Sequence, residues 1–70
     1  MPIDKWIKRI DVLVSEAKNS GRDFLQYEEV AGKLGVSPNY ARELLKIYAV
    51  LNNLTYDRKG GKLLLKGDQK

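Results

Sequence analysis

Residues 27–46 read YEEVAGKLGVSPNYARELLK. Val30, Ala31 and Leu34 fall on one face of a brief helix that starts from Gln26. Gly35 stops it. Ser37-Pro38 then reads as an N-cap followed by proline at the first helical position. The next helix covers 37–51, with Ala41, Leu44, Leu45 and Tyr48 facing inward and Leu51 extending that face. Two helices joined by so short a turn meet at a steep angle, and the residue types suit that. Ala31 is small where the second helix crosses the first. Gly35, four residues on, tolerates the positive φ of the turn. Val36 plugs the space between the helices.

Working outward, Ile3, Trp6, Ile7, Ile10, Leu13, Val14 and Ala17 form the stripe of an amphipathic helix, with Val12 off it. Pro2 suits its start, and Asn19-Ser20-Gly21 ends it. Phe24-Leu25 is a short extended segment. After Asn52-Asn53, a hairpin is expected from Leu54–Asp57 and Lys62–Leu65 around Arg58-Lys59-Gly60-Gly61. Pairing Asp57 with Lys62 sets Tyr56 opposite Leu63 and Leu54 opposite Leu65 on an apolar face. Thr55, Leu64, Asp57 and Lys62 then share the other face. The fold class is mainly α with a small β-hairpin: three helices, a short strand before the second, and the hairpin. One domain is expected over 1–66, with a disordered tail at 67–70.

The chain has 70 residues and no Cys or His, which excludes disulfides, Cys/His zinc sites, thiol nucleophiles and His-based triads. Glu28 and Glu29 are adjacent, so on a helix they diverge by about 100° and cannot work as a pair. A chain this small has no room for a sizeable pocket, so neither an enzyme nor a small-molecule substrate is expected, and no cofactor is implied. No apolar run reaches the length of a membrane span, and the charged N-terminal pattern is not that of a signal peptide. The net charge is +4. It concentrates in residues 54–70, where Arg58, Lys59, Lys62, Lys66 and Lys70 face only Asp57 and Asp68.

The pattern over 27–46 is that of a helix-turn-helix, with a plain αα corner as the alternative. Together with the terminal hairpin, the chain resembles the winged helix-turn-helix family over roughly residues 3–65, in the version found in bacterial and archaeal transcription regulators. Gln26 departs from the Ser, Thr or Asp often found as the cap of the second helix. The resemblance implies that helix 37–51 enters the major groove of double-stranded DNA. It also implies that the hairpin at 54–65, the wing, touches flanking backbone or minor groove. A regulator of a prokaryote, or of one of its viruses or plasmids, would lie in the cytoplasm, on the nucleoid.

The residues point the same way. Asn39, Arg42, Glu43 and Lys46 face away from the buried stripe, with Tyr40 on the flank. Arg42 and Asn39 suit guanine and adenine, and Glu43 suits cytosine or orients Arg42. Ser37, Tyr40 and Lys46 suit phosphate, as do the hairpin cations Arg58, Lys59 and Lys62. The plain alternatives are a solvated helix face with a local Arg42–Glu43 or Glu43–Lys46 contact, and a solubilising loop tip. Lys5, Lys8 and Arg9 alternate with acids and read as a solvated face. Trp6 reads as core, Tyr27 as either packing or base stacking, and Tyr48 and Tyr56 as core with reachable hydroxyls. Ile47, Val50 and Leu64 lie off the main inner faces, either packed by the hairpin or tail or forming a homodimer patch. Two rival functions stand beside specific DNA binding: a winged helix that binds protein, and a nonspecific architectural DNA binder.

Overall fold

The computed structural model describes residues 3–65. The expected roles of Pro2 and of the 67–70 tail lie outside them. The order is α1 (Ile3–Asn19), β1 (Phe24–Gln26), α2 (Tyr27–Leu34), α3 (Pro38–Leu51), β2 (Thr55–Asp57) and β3 (Lys62–Leu64). The protein is therefore mainly helical with a small antiparallel sheet, ordered β1-β3-β2.

Local chemistry sets the helix ends. Ser37 has extended backbone, and its hydroxyl accepts the Tyr40 N–H at 3.2 Å, with Pro38 following at the helix start. Gly35 closes α2 at φ 72°, its N–H donating to the Ala31 carbonyl. An L-residue in that left-handed conformation costs about 1–2 kcal/mol, so the turn depends on this glycine. Gln26 takes the cap position of α2 without a side-chain bond and also ends β1.

The hairpin register is the expected one: Thr55↔Leu64, Tyr56↔Leu63 and Asp57↔Lys62. The short segment before α2 does more than expected. Phe24↔Leu64, Leu25↔Leu63 and Gln26↔Lys62 make it a third strand on the free side of β3. A two-stranded hairpin is marginal in water, and a third strand with one buried face stabilises it. Leu25, Leu63 and Leu65 point into the core. Phe24 and Leu64 lie on the outer face, half-buried.

The core joins Ile10, Val14 and Ala17 of α1 to Val30, Ala31 and Leu34 of α2 and to Ala41, Leu44, Leu45, Tyr48 and Ala49 of α3. Val12 is exposed, as its place off the stripe implies. Leu51 departs from expectation. It lies two turns beyond the fully buried Leu44 on nearly the same face, yet is 64% exposed, whereas Tyr48, one turn beyond Leu44, is still buried. Trp6 is half-buried and meets the Tyr40 ring edge-on, with centroids 6.3 Å apart.

Two polar contacts tie the periphery down. Tyr48 Oη donates to Asp11 Oδ1 at 2.6 Å, linking α3 to α1. Burial, and then that carboxylate, push the Tyr48 hydroxyl well above the ordinary phenol range. Arg22 donates to both oxygens of Glu29, at 2.6 and 2.7 Å, fastening the approach to β1 onto α2. The Arg22 bonds hold the Glu29 carboxyl below the usual carboxylate range.

Tyr48→Phe should cost about 1 kcal/mol, since it removes one part-buried hydrogen bond. A thermal melt should show this as a fall of roughly 4–8 °C, and an unchanged melting temperature would show that the bond contributes nothing. The Glu29 shift is downward, so its stabilisation is present above the ordinary carboxylate range and is lost as pH falls through the lowered value. Thermal melts between pH 7 and pH 3 should therefore show a steeper acid loss for the native chain than for Arg22→Ala.

Candidate nucleic-acid interface

The candidate site is built where β1 becomes α2. The β1–β3 ladder runs past its last strand pair: Tyr27 N–H donates to the Gly61 carbonyl at 2.9 Å. Strand alternation puts the Tyr27 side chain on the core side, with Tyr56 and Leu63. Its ring lies close to Gly61. A Cβ at Gly61 would sit 2.6 Å from the ring's Cε1, and the glycine has φ +64°. Both facts require glycine there.

Asp57 organises the loop. Its Oδ1 accepts the Lys59 and Gly60 N–H groups at 3.1 and 3.2 Å, and its carbonyl accepts the Gly61 N–H at 2.8 Å. Arg58 and Lys59 are left exposed. Across from them, Arg42 of α3 lies over the Tyr27 ring, its guanidinium carbon 5.6 Å from the centroid, and Arg42 Nη1 donates to Asn39 Oδ1 at 3.4 Å. Tyr56 Oη is buried nearby and makes no hydrogen bond of ordinary geometry among the described residues. Burial pushes that hydroxyl up, while the neighbouring Arg42 charge acts in the opposite direction.

Tyr27, Glu28, Arg42, Arg58, Lys59, Gly60 and Gly61 thus line one open groove of about 340 Å³. Its three cations come from two elements and face a single lining carboxylate, Glu28. A second depression, about 150 Å³ between α1 and α2, has charges that cancel: Arg22 and Lys33 against Glu16 and Glu29. The lining of the first groove thus carries a net positive charge.

The expected site residues divide. Arg42, Arg58 and Lys59 converge on the groove, with Asn39 beside Arg42. Lys62 is not among the groove's lining residues: its stem passes Gly60, and its ammonium sits 4.6 Å from the Phe24 ring centroid on the outer sheet face. Lys46 is paired with Glu43 at 3.2 Å, which is the local contact named above as the plain alternative. The Ser37 hydroxyl is engaged in capping α3, and the Tyr40 ring packs on Trp6. Glu29, bound to Arg22, is not among the groove's lining residues. Ile47 and Val50 are 37% and 78% exposed and form an apolar patch with Leu51 and the Lys46 stem. Leu64 is not part of that patch.

Sequence reasoning missed Tyr27 as the residue under both Arg42 and the loop. Its partner Gly61 is remote in sequence, and no local pattern joins the two. The faint signal was an aromatic residue at the helix start together with a paired glycine in the hairpin loop.

No protein-family model, curated protein or solved structure matches the chain. Among the described residues no cluster of His, Cys, Asp or Glu could hold a metal, and no helix is long and apolar enough to cross a membrane.

Gly61→Ala should destabilise the protein by at least about 1 kcal/mol, since it adds a disfavoured φ to a displaced ring. Urea unfolding checks this. A native midpoint in the variant would show that the ring is not held against the loop.

Proposed function

We propose that this chain is a winged helix-turn-helix module that binds double-stranded DNA and serves in transcription regulation. The observation that carries the reading is the groove in which Arg42 of α3 meets Arg58 and Lys59 of the hairpin, the wing. Cations from two elements on one concave surface match a phosphate backbone that runs past a helix seated in the major groove. Arg42, beside Asn39 and over the Tyr27 ring, would read a base edge, and the loop cations would bind phosphate. Electrostatic binding supplies affinity, and Arg42 with Asn39 supplies preference. Lys46 and Lys62, held by Glu43 and Phe24, play a smaller part than the three groove cations.

The module that binds protein instead is favoured by one observation, the exposed patch of Ile47, Val50 and Leu51. Three side chains offer much less than the roughly 800 Å² per partner of a standard interface, so the groove carries the stronger case.

The test is anisotropy titration of a labelled random duplex across a salt series. Binding should be clear at low salt and should weaken steeply as salt rises. Lys59→Ala should weaken all sequences alike and shallow the salt slope by about one unit. Arg42→Ala should narrow the gap between a selected sequence and a random one by about 1–3 kcal/mol. If low salt gives no binding, while Val50→Asp abolishes association with a protein partner, the interaction-module reading replaces this one.

A further inference from the structure

We propose that Tyr27 is a positioning residue that couples the wing to Arg42, so that phosphate contact by the wing and base reading by Arg42 occur as one event. This rests on the DNA-binding reading above. Three contacts of a single residue carry it. The Tyr27 N–H holds the Gly61 carbonyl at 2.9 Å, at the end of the β1–β3 ladder. The ring fills the space where a Gly61 Cβ would stand, 2.6 and 2.7 Å from two ring carbons. The Arg42 guanidinium lies over the same ring.

Gly61 is buried although it belongs to an exposed loop. The loop is thus anchored at one end by Tyr27 and braced at the other by Asp57. Shifting the loop moves the ring, and moving the ring changes the surface on which Arg42 rests. The guanidinium's other neighbours are Asn39, at 3.4 Å, and the buried Tyr56 hydroxyl. A wing drawn onto phosphate therefore biases where Arg42 points, and an Arg42 engaged on a base biases the wing, since such coupling is reciprocal.

The test compares Tyr27→Phe, which keeps the ring, with Tyr27→Leu, which removes it. In the DNA-free protein, NMR should show the Gly61 amide and the Arg42 Nε–Hε signals losing their ring-current shifts together in the Leu variant only. Backbone order parameters over residues 58–61 should fall there from about 0.85 toward 0.6. On DNA, a double-mutant cycle of Arg42→Ala and Lys59→Ala should show roughly three- to tenfold non-additivity in the native and Phe backgrounds. In the Leu background the two effects should become additive.

Unchanged Arg42 and loop signals in a folded Leu variant would overturn the proposal, as would coupling that survives there. Should Tyr27→Leu fail to fold, Arg42→Ala gives the reciprocal reading: residues 58–61 must gain mobility, and an unchanged loop overturns the proposal. A native protein that binds no duplex sinks the DNA-binding reading, while the DNA-free spectra still decide whether Tyr27 ties the wing to Arg42.

Discussion

The contact between Tyr27 and Gly61 is the constraint on which the rest of the structure turns. It closes the ladder that binds β1 to β3, fixes where α2 begins, and sets the hairpin loop against the N-terminal half of α3. Small domains have little buried surface to hold separate elements in one relation. Here one backbone hydrogen bond and one ring join the helical pair to the sheet at the edge where the cations gather. A Cβ at position 61 would meet the ring directly and the positive φ disfavours L-residues, so this junction favours glycine.

Charge gains its meaning from that geometry. A net +4 spread over a small surface would be weak evidence of any partner. The structure gives two of the hairpin cations, Arg58 and Lys59, a common groove with Arg42, and leaves Lys62 and Lys46 against Phe24 and Glu43.

Much of the fold was legible in the sequence because its signals are local. The Ser37-Pro38 cap, the Gly35 stop and the hairpin register each depend on residues a few positions apart, and the structure has all three. What was not legible depends on distance in the chain. The pairing of Phe24–Gln26 with β3 joins segments nearly forty residues apart, and three residues make too short a pattern to announce a partner. Leu51 fitted the inner stripe of α3, but periodicity cannot say how far along a helix its packing partners extend. The site divided in the same way. Residue type identified Arg42, Arg58 and Lys59 as candidates. Only the tertiary arrangement sets Lys62 apart from them and brings Tyr27 in.

On the proposed function, the groove between α3 and the hairpin is the surface that would meet DNA. Amide and side-chain chemical-shift mapping of the labelled protein, titrated with a short duplex at moderate salt, tests it most directly. The largest changes should cluster at residues 37–43 and 57–61, with the Arg42 Nε–Hε signal among them and residues 47–51 nearly still. Changes centred on Ile47, Val50 and Leu51, or none at all at saturating duplex, would contradict it.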